Sequence, residues 1–255
     1  MTMSPGTPDT PDSAAPADPL AWLVGLEGVP SAFAGTRDGI DALLRDRGLR
    51  RTTPGTTAES LLRGAHASAV LEGSASSLED VRPDGPGGDP VARAALRVST
   101  ELLGLVPALR QQPAQALARL HALAAVEDLE EERLGRPRDA EAAGRLRGLA
   151  GLLLSETQVP ALVVAAVVHA DLATAAPFPS HNGLVARAAE RLVLVSRGVD
   201  EKSLTVPEAG HLALQAAYES NLRGYRDGGR AGVHAWLLYA AEAYAAGAEA
   251  SPLRG

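Results

Sequence analysis

The 255-residue chain sets 24 basic side chains against 31 acidic ones, a net charge of −7, and contains no cysteine. Such a balance speaks against a general nucleic-acid binder, whose phosphate affinity needs a concentrated basic surface, although a local arginine cluster would still suffice to hold a nucleotide. Without cysteine there is no disulfide frame, no thiolate metal site and no thiol nucleophile.

Hydrophobic residues make up 45% of the chain but aromatics only 3%, so the core must be built from Ala, Leu and Val, which suit close helix packing. The length supports one good core or two small ones. All basic residues but Lys202 are arginine, an Ala/Arg/Gly bias that reads as genomic composition rather than function. Residues 159–168 form the longest apolar run, closely followed by His169 and Asp171, whereas a membrane span needs ~20 residues. The N-terminus lacks the basic start and apolar run of a signal peptide. The expectation is a cytoplasmic protein with neither membrane nor nucleic acid as partner.

In chain order, residues 1–19 are Pro, Ser, Thr, Asp and Ala with no periodic apolar face, the composition of a disordered tail. Residues 20–33 predict a short helix and turn around Pro30, and residues 38–47 a second short helix carrying Ile40, Leu43 and Leu44. Residues 20–55 thus form an N-terminal helical extension ahead of a main domain over residues 56–255. That domain opens with a helix over residues 57–73, capped by Thr56 or Thr57 and stopped by Gly73. Ser68 and Glu72 lie one turn apart near its C-terminal end, on the side that carries Leu61, Leu62 and Ala65.

Ser76 and Ser77 begin a capped turn, and the Gly, Pro and Asp of residues 83–90 make a linker. Helices are predicted over residues 91–109 and 113–126, the second with Pro113 in its first turn. Residues 127–138 are a charged run broken by Gly135 and Pro137, which by itself reads as a solvated connection. Helices over residues 139–154 and 160–176 follow. The latter is nearly all apolar, which marks a buried central helix, and His169 within it reads as a core histidine. A helix over residues 182–197 buries Val185, Ala189, Leu192 and Val193 and leaves Arg187, Glu190 and Arg191 to other faces. Residues 207–225 and 232–247 complete an all-α chain, with Tyr218, Leu222, Trp236, Leu237 and Tyr244 supplying most of the remaining aromatic and apolar packing.

Between the two central helices lies Ala-Pro-Phe-Pro-Ser-His-Asn-Gly-Leu-Val-Ala-Arg, residues 176–187. Pro177 and Pro179 cannot continue a helix, and Asn182-Gly183 restarts one. A tight loop ending at a helix N-terminus offers free N–H groups and the positive end of the dipole to an anion. This stretch resembles, in degenerate form, the Fic (Fido) family signature His-Pro-Phe-x-Asp-Gly-Asn-Gly-Arg-x-x-Arg. Pro177, Phe178, Asn182, Gly183 and Arg187 match in register. Ala176 stands at the catalytic His, Ser180 at the acidic metal ligand, His181 at the first Gly and Leu184 at the first Arg. His169 falls where the family often carries a helical His. Ser68-Ala-Val-Leu-Glu72-Gly73 fits the family's inhibitory-helix pattern, Ser/Thr-x-x-x-Glu-Gly/Asn.

The resemblance, running from about Thr57 to Ala248, implies a Fic/Fido-like helical bundle. It makes residues 57–73 an inhibitory helix whose Glu72 reaches Arg187, residues 127–138 a target-docking flap, and Pro177, Phe178 and His169 structural. It also implies a protein adenylyltransferase ancestry, with ATP and Mg²⁺ as ligands. Asn182, Gly183 and Arg187 are the remaining candidates for nucleotide or anion contact. The catalytic set is not intact. A general base is worth ~100- to 10,000-fold, and Ala176 has no proton acceptor. Ser180 is a poor ligand for a hard cation, Leu184 removes a cation, and His181 adds a side chain where the loop favours positive φ.

The expectation is therefore a pseudoenzyme acting as a binding or regulatory module, with no cofactor and no metal site, an unidentified protein partner, and scope for self-association. The alternatives are a transferase of altered chemistry using His181 as base, or a nucleotide sensor without turnover. The sequence further predicts a helix-to-helix ion pair between Glu72 and Arg187.

Overall fold

Residues 18–45 and 53–254 are described by the computed structural model, and every regular element among them is helical. A short 3₁₀ turn (Ala21–Gly25) leads to α1 (Val29–Leu43), α2 (Pro54–Leu71), α3 (Pro90–Glu101), a second 3₁₀ turn (Leu102–Leu105), α4 (Val106–Gln111) and α5 (Pro113–Ala125). A third such turn (Glu131–Arg133) precedes α6 (Ala140–Leu154), α7 (Ala161–Ala175), α8 (Asn182–Ser196), α9 (Pro207–Ala213), α10 (Gln215–Asp227) and α11 (Gly229–Glu249). The predicted tail lies outside the described residues except for Asp18 and Pro19. Asp18 is docked, its carboxylate accepting from the Leu20 N–H at 2.9 Å and the Thr157 hydroxyl at 2.6 Å.

The centre is the α7–α8 pair. α7 is apolar all round, and its residues from Leu162 to Ala170 are buried without interruption. α8 departs from the sequence reading. Arg187, Glu190 and Arg191 do not face away from the core but are themselves buried, because α8 is covered on every side and has no solvent face to give them. Each is matched inside by groups from α2, α7 or α9.

Other boundaries differ for local reasons. α2 starts three residues earlier than predicted: Thr53 is its N-cap, Thr53 and Thr56 close a capping box, and Pro54 occupies the first turn. Its end holds the predicted stop, Gly73 at φ 89°, with Gly73 N–H donating to Val70 O and Ser74 N–H to Ala69 O. The two short N-terminal helices are instead one, α1, because Pro30 sits in its first turn rather than breaking it. α1 lies on α11, where the Thr36 hydroxyl donates to Ala241 O at 3.0 Å. The helix predicted over residues 91–109 is divided by the turn at Leu102–Leu105, and the one over residues 207–225 at Leu214. Among the described residues no helix is long and apolar enough to cross a membrane.

Candidate functional site

The loop between α7 and α8 is tied down at each limb. Ala176 takes a left-handed backbone, φ 43° and ψ 60°. Arg138 crosses to it, donating from its guanidinium to Ala176 O at 2.5 Å and from its N–H to Pro177 O at 2.9 Å. The Asn182 side chain closes the loop on Phe178, accepting from Phe178 N–H and donating to Phe178 O, both at 2.9 Å. Its amide is thus engaged by the loop itself. The Phe178 ring is buried and stacks on His121 of α5 with centroids 4.5 Å apart.

Residues 127–138 do lie beside this loop. Besides the Arg138 contacts, Asp128 pairs with His181 Nε2 at 2.5 Å, and Gly135 N–H donates to His121 Nδ1 at 3.0 Å. His181 also holds a left-handed backbone, φ 54°, the geometry that favours glycine there. Leu184 packs into the core, and the Ser180 hydroxyl is buried with no hydrogen-bond partner among the described residues. Burial, with a smaller push from the neighbouring His181, lowers His121 to about 4, so this imidazole is neutral near pH 7.

Glu72 seals the start of α8. Its Oε1 accepts from Arg187 Nη2 at 2.7 Å, and a Cβ added at Gly183 would overlap the same carboxylate. Arg187 further donates from Nε to Ser68 Oγ at 2.8 Å, from Nη2 to Ser68 O at 3.1 Å and from Nη1 to the Tyr218 hydroxyl at 3.0 Å. Burial pulls the guanidinium's affinity for its proton down, but Tyr218 and Glu72 outweigh it, so the group is held above its ordinary value. Glu72 is the C-cap of α2, at the negative end of that helix dipole, so Arg187 offsets an unfavourable placement. The predicted Glu72–Arg187 pair is thus formed, with Ser68 accepting from the same guanidinium.

Below Arg187 the polar network continues inward. The Tyr218 hydroxyl, accepting from Arg187, also meets His169 Nε2 at 3.0 Å. His169 Nδ1 and His211 Nε2 lie 2.9 Å from Glu190 Oε1 and Oε2 respectively. The Tyr244 hydroxyl donates to Glu190 Oε1 at 2.7 Å, and Tyr239 OH meets His211 Nδ1 at 2.8 Å. Desolvation opposes the ionised Glu190, but the two imidazoles outweigh it and hold it below the usual carboxylate range. One turn further, Arg191 and Glu208 form a buried pair at 2.6 Å that also takes in Ser60 and Ser203. Gly64 makes room for it, since a Cβ there would stand 2.6 Å from Arg191 Nη2.

The structure therefore gathers Ala176, Pro177, Phe178, His181, Asn182 and Gly183 on one loop, with Glu72, Ser68 and Arg187 beside it. Arg138, Asp128, His121, Tyr218, Glu190 and His211 were not singled out from sequence. One signal was available for Glu190 and its neighbours: three charged residues in a segment with apolar residues on every helical face must pair within the core.

No protein-family model matches this sequence, and no curated protein matches it either. Solved structures do. A Fic family protein from Desulfovibrio desulfuricans G20 superposes with a TM-score of 0.71 at 16% identity, over 88% of this chain and 74% of that one. A segment of Fic-1 from C. elegans gives 0.66 at 15% identity, over 91% of this chain and 73% of that one, and a single-residue variant of it gives 0.60. At such identities the likeness is one of fold: this chain has the helical fold seen in Fic family proteins.

Proposed function

We propose that this chain is a Fic-fold pseudoenzyme, a binding or regulatory module that does not transfer AMP. The observation that carries the reading is Ala176. Fic chemistry needs a proton acceptor at the head of the loop, and this position offers a methyl group whose carbonyl is tied to Arg138. The rest of the site fits a closed state: Glu72 covers Gly183 and holds Arg187, the remaining phosphate-seeking groups. The occupant of such a module is a protein partner, consistent with the exposed acidic residues Glu130, Glu131 and Glu132 beside the loop, which favour a basic segment.

Calorimetric titration with ATP, ADP, AMP and GTP, with and without Mg²⁺, tests this on wild type, Glu72→Gly and Arg187→Ala. Silence across the panel in wild type supports the module. Mg²⁺-dependent binding lost in Arg187→Ala turns the reading to a nucleotide sensor or enzyme.

A second reading rests on the Asp128–His181 pair. A carboxylate 2.5 Å from an imidazole orients it as a base, and this imidazole sits on the loop's other limb. Under that reading the chain is a transferase of altered chemistry, and His181→Ala abolishes label transfer from ATP.

A further inference from the structure

The two carboxylates that α8 and α9 place in the helix core differ in what balances them. Glu208 faces the Arg191 guanidinium. Glu190 forms no ion pair with an arginine or lysine among the described residues; the two arginines near it in sequence, Arg187 and Arg191, are engaged by Glu72 and Glu208. A buried carboxylate without a counter-charge is strongly disfavoured. Its positive partner is therefore either a proton on an adjoining imidazole or a bound cation.

We infer that His169, Glu190 and His211 form a binding site for one divalent transition-metal ion, with zinc the best match. The three residues come from α7, α8 and α9, are fully buried, and offer ligand atoms that all lie within 4.8 Å of one another. Two imidazoles and one carboxylate are a donor set that zinc and its first-row neighbours take, whereas Mg²⁺ and Ca²⁺ require mostly oxygen. His169 supplies a second, independent pointer. Its Nδ1 stands 2.9 Å from Glu190 Oε1 without the alignment of a hydrogen bond, and no other group meets this buried nitrogen. In the tautomer that carries its proton on Nε2, this nitrogen presents a lone pair to an ion.

The surroundings are those of a ligand set held in place. The second nitrogen of each ring meets a tyrosine hydroxyl, Tyr218 at 3.0 Å for His169 and Tyr239 at 2.8 Å for His211, as outer partners orient metal-bound imidazoles. Tyr244 fixes the carboxylate. Three of the chain's four tyrosines thus direct their hydroxyls here, in a sequence with 3% aromatics. Ligand atoms bound to zinc at about 2.0–2.2 Å lie roughly 3.3–3.5 Å apart, so the 2.9 Å carboxylate–imidazole separations need open only slightly. The inference goes beyond the pseudoenzyme reading and stands or falls separately from it.

The test is metal analysis by mass spectrometry of the full chain purified without chelator. The chain is then unfolded with chelator and refolded with and without Zn²⁺ or Co²⁺. The expected results are one ion per chain, a higher melting temperature with Zn²⁺, and a visible cobalt absorption band of tetrahedral type. Both H211A and E190Q, the latter keeping the shape of the side chain, should lose ion and band, while H234A at the surface keeps them. A metal-free wild type whose melting temperature neither ion moves would overturn the inference and assign the balancing charge to a proton. Metal retained in E190Q and H211A would place it elsewhere. If H211A does not fold, wild type and E190Q decide.

Discussion

Two arginines one turn apart on α8 make ion pairs of the same chemistry and opposite character. Arg191 and Glu208 are both nearly inaccessible, with side chains 3% and 5% exposed. Arg187 is as deeply buried at 1%, but its partner Glu72 is 32% exposed, at the end of a different helix. The first pair is closed on all sides and belongs to the fold. The second is a latch with one half in water, beside the loop where a Fic protein would do its chemistry. A buried pair is costly to break because the survivor stays buried and unpaired; a half-exposed pair is not, since water can replace the missing carboxylate.

That contrast can be broken by mutation. Glu208→Gln should destabilise by about 3–5 kcal/mol in urea titration, since Arg191 is left charged in the core. A loss no larger than that of Glu72→Ala would erase the distinction. pH separates the regions as well. His121, stacked under the loop, is lowered to about 4 from an unfolded value of 6.5. Over that window the unfolded chain holds more protons, so the contribution is complete above pH 6.5 and lost as pH falls towards 4. At about 1.4 kcal/mol per pKa unit it amounts to roughly 3–4 kcal/mol. In His121→Phe, which keeps an aromatic ring beneath Phe178, the fall in urea midpoint between pH 7 and 4 should be shallower than in wild type.

Glu72→Ala should cost only about 1–2 kcal/mol, because Arg187 keeps Ser68 and Tyr218 and water reaches the gap. A double-mutant cycle with Arg187→Ala should show coupling; strict additivity would mean that the latch contributes nothing. The smallest effect belongs to the loop backbone. At φ 43° an alanine carries left-handed strain of about 1 kcal/mol, so Ala176→Gly should raise the melting temperature slightly.

Much of this arrangement is legible from residue order, for physical reasons. Pro177, Pro179 and the Asn182-Gly183 step cannot be read as anything but a break and restart, and the apolar run before them can only be a central helix. Gly73 was readable as a stop because left-handed backbone favours glycine. The departures have separate causes. The start of α2 was missed because Thr53 and Thr56 cap it across Pro54, while the later threonines carried the same local signal. The division near Leu102 and the one at Leu214 arise from packing against neighbours, which no local pattern encodes. The charges of α8 were turned outward by a rule for surface helices, and a helix enclosed on all sides has no outward face. At the site, Glu72 and Arg187 were found through a pattern of residues. Asp128, Tyr218 and His211 could not be, because only the fold brings them to the loop or the core.

The central claim, that the loop lacks a working base, is tested most directly by incubating the chain with Mg²⁺ and ATP carrying an α-phosphate label, alone and with a cell extract. Wild type, Glu72→Gly and His181→Ala would be compared. The account predicts no covalent label on any protein in all three, even with the latch removed. Label deposited by wild type or by Glu72→Gly, and abolished by His181→Ala, would contradict it and make the Asp128–His181 pair the base.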